Sequence, residues 1–160
     1  MGTTTGLRRE IKRKFVPYLT ERGFVIDERN SPTFLEFRRV TSDWVYLVDI
    51  QWEKSGDPRF VINFGKCPPT GITIRGQHYA PEEVCASWMP EYGRLQPHGG
   101  PSTANWFRLD KPLMKRLLSG EKSYPPEVVV AELKRLFAEV EAYWATGTVG
   151  KHLRIIRNAI

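Results

Sequence analysis

Apolar residues return early in the chain at Leu7, Ile11, Phe15, Tyr18 and Leu19, the spacing of one helix face, and Gly23 is placed to stop that helix. Pro17 lies inside the pattern. Lacking an N–H and crowding the preceding turn, it should kink the helix or end its regular part. The period then shortens to two. Phe24–Ile26, Thr33–Val40 and the two arms of YLVDIQWEKSGDPRFVINFG, Tyr46 to Gly65, read as strands. Asn30, Ser31 and Pro32 separate the first two, and Thr41, Ser42 and Asp43 turn the chain before Trp44. The pattern predicts a helix followed by an antiparallel meander of three or four strands.

Parity sets the register of the hairpin. Pairing Glu53 with Arg59 across the SGDP turn puts Trp52 opposite Phe60, Ile50 opposite Ile62 and Val48 opposite Phe64, so the large apolar residues share one face. The other face carries Glu53 with Arg59, Gln51 with Val61 and Asp49 with Asn63. A slip of one residue would set Asp49 against Phe64. Alternation alone predicts that this polar row is the solvated outer side of the sheet. Val45, Leu47, Leu35 and Phe37 make part of the second face apolar too. If a helix covered that end, Gln51 and Asn63 would border a pocket.

The stretch from Lys66 to Asp110 is the least regular, rich in proline and glycine yet holding Trp88, Tyr92 and Trp106. Ile72–Arg75 reads as a short strand, PEEVCASWM (Pro81 to Met89) opens like a helix, His98 to Thr103 looks like an exposed loop, and ANWFRL reads as a strand. Beyond Lys111 the helical period returns. Leu113, Met114, Leu117 and Leu118 form a short apolar stripe ending at Gly120. PPEVVVAELKRLFAEVEAYWATG then repeats Val129, Leu133, Leu136, Phe137, Val140 and Trp144 and closes on Gly147. HLRIIRNAI fits a helical turn, a closing strand or a tail, and a basic tail is expected over about 148–160. The fold class this implies is α+β, one domain over 1–160. An antiparallel sheet of about five strands is packed by an N-terminal and a long C-terminal helix.

Composition adds limits. With 41% hydrophobic and 26% charged residues the chain has the makeup of a globular protein, not a disordered one. No apolar run approaches the ~20 residues of a membrane span, and no apolar segment of a secretory signal follows Lys14. A cytoplasmic protein without a membrane partner is expected. Cys67 and Cys85 lack CxxC or paired-histidine spacing, so neither a metal nor another cofactor is expected, and both should be thiols. The net charge is +6. The excess gathers at Arg8, Arg9, Lys12, Arg13 and Lys14 and again at Lys151, Arg154 and Arg157, which favours polyanionic partners without choosing among them.

The order of motifs is informative. GF at Gly23–Phe24 after a first helix, TFLEFRR, IQWEKSGDPRFVINFGKCP, YGRLQP, NWFRL and a closing helix together resemble the bacterial domain-of-unknown-function family number 4304. The matching positions are Gly23, Phe24, Phe34, Gln51, Phe60, Asn63, Gly65, Arg94, Leu95 and Trp106, over roughly Leu7 to Trp144. NWF departs from the pattern, where two tryptophans are expected. The resemblance implies a fold type and a bacterial origin, and it supplies no activity.

Candidate chemistry is sparse. Asp49 and Glu53 share a strand face beside Lys54, but four residues at ~3.3 Å each separate them by about 13 Å, too far to grip one ion. His78, His98 and His152 are scattered, neither Ser87 nor Ser102 lies in a GxSxG turn, and GKCPPTG and HGGPST lack phosphate-loop spacing. No catalytic residue is assigned. Gln51, Asn63, Tyr92, Arg94 and Trp106 are the candidate binding residues, since amides, aromatics and arginine recur at binding hot spots. A non-catalytic module binding a protein partner, an immunity-like inhibitor or an adaptor, is the expected role. A basic inhibitor would not mimic nucleic acid. The alternative is nucleic-acid binding through Arg8, Arg9, Lys12 and Arg13 of the first helix with Lys151, Arg154 and Arg157 of the tail. A small-molecule-binding or hydrolytic enzyme comes third.

Overall fold

A computed structural model describes residues 3–27, 29, 31–99, 102 and 105–159. It begins with helix α1 (Thr4–Glu10), a π turn at Ile11–Phe15 and helix α2 (Val16–Thr20), one helical run over 4–20. The Thr3 hydroxyl caps the start by accepting from the Gly6 N–H at 3.2 Å. The wide turn is what Pro17 requires. In a regular helix its ring would crowd the Arg13 carbonyl, and it has no N–H to donate. The π turn makes the room, with the Val16 N–H reaching back to Ile11 O. The helix therefore continues through the proline.

Strands β1 (Val25–Ile26), β2 (Phe34–Val40), β3 (Val45–Trp52) and β4 (Arg59–Cys67) form the expected meander. Strands β5 (Ile72–Ile74) and β6 (Gln77–Tyr79) make a separate hairpin. β7 (Glu91–Leu95), β8 (Phe107–Arg108) and β9 (Leu153–Arg157) join the main sheet, giving seven strands in the order β1-β2-β3-β4-β7-β9 with β8 also on β4. The excess over the five expected comes from the irregular middle and the C-terminus. Leu153 and Ile155 turn into the core, so the segment read as a basic tail contains a paired edge strand. The β3–β4 register pairs Trp52 with Phe60, Ile50 with Ile62, Val48 with Phe64 and Asp49 with Asn63, as parity requires.

The main core lies on one face of the sheet. Leu7, Ile11, Phe15 and Leu19 of the N-terminal helical run pack there. Helix α3 (Leu113–Ser119) precedes α4 (Pro126–Thr146), and Val130, Leu133, Leu136, Phe137 and Val140 of α4 complete the layer over Val48, Ile50, Ile62 and Phe64. Burying each large apolar side chain is worth roughly 1.5–3 kcal/mol. Leu35 and Phe37 also point here, opposite Ile50 and Val48, and not to the second face.

The second face is covered at one end by chain rather than by a helix. Pro81–Met89 forms only two short 3-10 turns, Pro81–Glu83 and Ala86–Trp88, and packs Val84, Ala86 and Met89 on Val45, Leu47 and Cys67. Gly65 permits the approach: a Cβ there would stand 3.2 Å from Met89 Cγ. Asn158 pins the segment by donating to Ser87 O and Met89 O at 2.8 Å each. The loop expected at His98–Thr103 lies partly outside the described residues, as does Asn30.

Candidate functional site

On the second face a polar row crosses five neighbouring strands in register: Glu36 on β2, Asp49 on β3, Asn63 on β4, Arg94 on β7 and Arg154 on β9. The sheet was expected to be wet here. Instead Asp49 and Asn63 are each 1% exposed, because Val84, Cys85 and Ala86 lie over Asp49 and leave no room for a water molecule. Buried polar groups need partners. Asn63 Nδ2 donates to Asp49 Oδ1 at 2.7 Å and to Gln51 Oε1 at 3.1 Å, while Asn63 Oδ1 accepts from Arg94 Nε at 3.1 Å. Arg94 Nη2 reaches Gln51 Oε1 at 3.3 Å. The Trp106 ring centre stands 5.9 Å from Arg94 Cζ.

Gln51, Asn63, Arg94 and Trp106 therefore come together. Tyr92, the fifth expected binding residue, packs on the apolar end of the same face. Glu53 stands opposite Arg59 as the register requires, its N–H donating to Arg59 O at 3.0 Å, but the Arg59 side chain turns to Asp110. Arg59 Nη2 bonds Asp110 Oδ2 at 2.9 Å, and Arg108 joins the same carboxylate. Burial works against the Asp110 charge, but these two arginines outweigh it and hold its pKa down to about 2.

Burial pushes the Asp49 carboxyl up to about 7. The Asn63 amide favours the charged form, Glu36 opposes it, and Arg94 and the Ala86 backbone offset only part. Burial likewise raises Glu36 and lowers Arg94. A carboxyl poised near neutrality could move protons in an open site. Asp49 is sealed beneath Val84–Ala86, so the arrangement is an internal network rather than an exposed acid–base pair. Among the described residues no group of three or more His, Cys, Asp and Glu could hold a metal ion. No helix there is long and apolar enough to cross a membrane.

Beside Trp106 lies a cleft of about 620 Å³, lined by Trp106, Phe107, Tyr124, Val128 and Val129. Its size suits a side-chain cluster or a small ligand. Pro112, just ahead of α3, and Lys115 of α3 also line it. The loop carrying α3 is closed at its base by the Asp110–Ser123 bridge and by Lys111 Nζ bonding Glu121 at 2.5 Å.

The α3 stripe faces outward. Leu113, Met114, Leu117 and Leu118 are 70%, 67%, 72% and 84% exposed, with Val128 nearby on α4 also exposed. Its basic residues are exposed as well, Arg116 Nε donating to Lys111 O of the same loop at 2.7 Å and Lys115 Nζ lying 5.8 Å from the Tyr124 ring centre. The sequence contained this stripe but not its direction.

The basic residues are dispersed. Arg8 donates to Pro32 O and lies 4.4 Å from the Trp52 ring centre, and Arg13 pairs with Glu10. Arg9 and Lys12 are exposed on the helical run. Lys151 is exposed, Arg157 pairs with Glu91, and Arg154 sits on the sheet face away from the N-terminal helices.

Compared with models of known families, with curated proteins and with solved structures, the chain matches none.

Proposed function

We propose that this protein is a non-catalytic binding module that docks an acidic amphipathic helix of a partner protein onto α3 and the neighbouring cleft. The outward apolar stripe of α3 carries the reading. Large apolar side chains clustered in the open are costly for a monomer to display and mark interaction sites. The stripe spans about 10 Å, two helical turns.

Charge selects the occupant. Lys115, Arg116 and Lys122 flank the stripe, Glu121 is tied to Lys111, and the chain carries +6 overall. A second copy would bring the same basic flank to the interface, whereas an acidic helix complements it. The concave cleft beside α3 suits an inserted side chain better than a lipid surface. Cys67 and Cys85 are free thiols, which suits the reducing cytoplasm, where we place the protein. An immunity-like inhibitor or an adaptor would use such a face.

A photo-cross-linking residue at position 114, in the native cell, tests this. The expected product is one dominant adduct to an acidic protein, joined through an amphipathic segment and lost on Leu118→Glu. Binding of that purified partner should weaken at least tenfold in Leu118→Glu. A self-adduct, an adduct to nucleic acid, no adduct, or co-flotation with phosphatidylglycerol vesicles would each overturn it.

A further inference from the structure

The outer end of the polar row contains an arrangement that the docking face does not explain. Arg94 and Arg154 are direct partners across β7 and β9, so two guanidinium-bearing side chains leave the same face of adjacent strands. Like charges placed opposite each other destabilise a sheet. Their mutual repulsion adds to burial in disfavouring the charge on Arg94.

Among the described residues no acidic side chain pairs with Arg154. The residue is half-buried, and its Nε is out of contact with water and has no hydrogen-bond partner among the described residues. Other arginines of this chain are answered: Arg38 by Asp27, Arg39 by Glu141, Arg59 and Arg108 by Asp110, Arg157 by Glu91. The acids in the same row are Asp49, two strands beyond Arg94, whose Oδ1 is already engaged by Asn63, and Glu36, one strand further still. A guanidinium presents up to five N–H donors in a planar fork matched to carboxylate and phosphate oxygens.

We infer that Arg94 and Arg154 form a binding site for a small oxyanion, a phosphate or carboxylate group, with Trp106 as its aromatic wall. The anion supplies the countercharge that Arg154 lacks among the described residues. Arg94 is held in place by Asn63 and Gln51, and Arg154 supplies the uncommitted donors. The row of amides and the buried aspartate behind Arg94 then have a purpose: they aim one half of an anion clamp from inside the sheet. This site is separate from α3, so it stands or falls apart from the docking proposal.

Thermal unfolding with sodium phosphate, sodium acetate or sodium chloride at matched ionic strength tests it, with isothermal titration of phosphate alongside. Phosphate should raise Tm saturably above chloride, as ligand binding to the folded state requires. A matching rise with acetate extends the site to carboxylates, and its absence restricts it to phosphoryl groups. Arg154→Gln should abolish the specific rise and weaken phosphate binding at least tenfold. Arg157→Gln should leave both unchanged. Because Arg154 has no partner to lose among the described residues, Arg154→Gln should fold with a Tm no lower than the native protein in low salt. The Arg154 Nε–Hε resonance should move with phosphate. A rise equal to that in chloride, a response retained in Arg154→Gln, or a marked drop in that variant's own Tm would overturn the assignment.

Discussion

Asn63 Nδ2 donates to Asp49 Oδ1 at 2.7 Å across β3 and β4, in a place where both residues are almost wholly withdrawn from solvent. The bond joins a carboxyl to an amide that in turn orients Arg94. It ties the sealed interior of the second face to the guanidinium at its edge, so the charge on Asp49 matters to both stability and the site.

The pH dependence follows. The Asp49 pKa rises from 3.8 in the unfolded chain to about 7 in the fold. Between those values the folded protein keeps the proton and the unfolded chain has released it, so stability falls as pH rises through the window and is flat above it. Three units correspond to about 4 kcal/mol at most. Asp49→Asn cannot ionise and still offers Asn63 an acceptor. In urea titrations it should match the native protein near pH 4 and exceed it by about 2 kcal/mol or more at pH 8. Parallel curves for the two proteins would refute the assignment.

Gly93 is required by the aromatic ring opposite it. β4 and β7 pair Phe64 with Gly93, and a Cβ at 93 would lie 2.0 Å from Phe64 Cζ. Phe64 is fully buried and has nowhere to retreat. Gly93→Ala should cost about 3 kcal/mol through overpacking. In a Phe64→Leu background the same change should cost less than half as much, read as a coupling in a double-mutant cycle.

Two leucines should respond in opposite ways. Leu136 of α4 is fully buried, and Leu136→Ala should lose about 2–5 kcal/mol. Leu117 of α3 is 72% exposed, and Leu117→Glu should change stability by less than about 0.5 kcal/mol. Chemical denaturation of both variants checks this. A large loss in Leu117→Glu would mean that the stripe supports the fold and is not a free face.

The elements easiest to read from the chain were those with the longest periodic signal. α4 runs from Pro126 to Thr146, between the prolines and Gly147 that bounded its pattern. The hairpin register was legible because any slip would have set a carboxylate among aromatics. Gln51, Asn63, Arg94 and Trp106 stood out by residue type, though nothing along the chain marked them as one network. β7 and β8 were harder, since short strands within proline- and glycine-rich chain leave little periodicity to detect. The apolar character of Val45 and Leu47 beside Asp49 hinted that both sheet faces were covered. It gave no indication that the cover would be Val84–Ala86.

Local sequence determined the helices at both ends, the central meander and which residues within one strand share a face, because backbone period and side-chain parity are local properties. The side taken by Leu35 and Phe37, by contrast, depended on how β2 pairs with β3. Tertiary structure alone decided which of those faces meets water. Asp49 is buried because a segment more than thirty residues later folds over it, and Arg154 meets Arg94 because the last strand returns to β7. The α3 stripe, identical in pattern to a core helix, points outward because its loop closes at Asp110 and Ser123 and holds it away from the sheet. Burial is a relation between distant segments, and no window along the chain contains both partners.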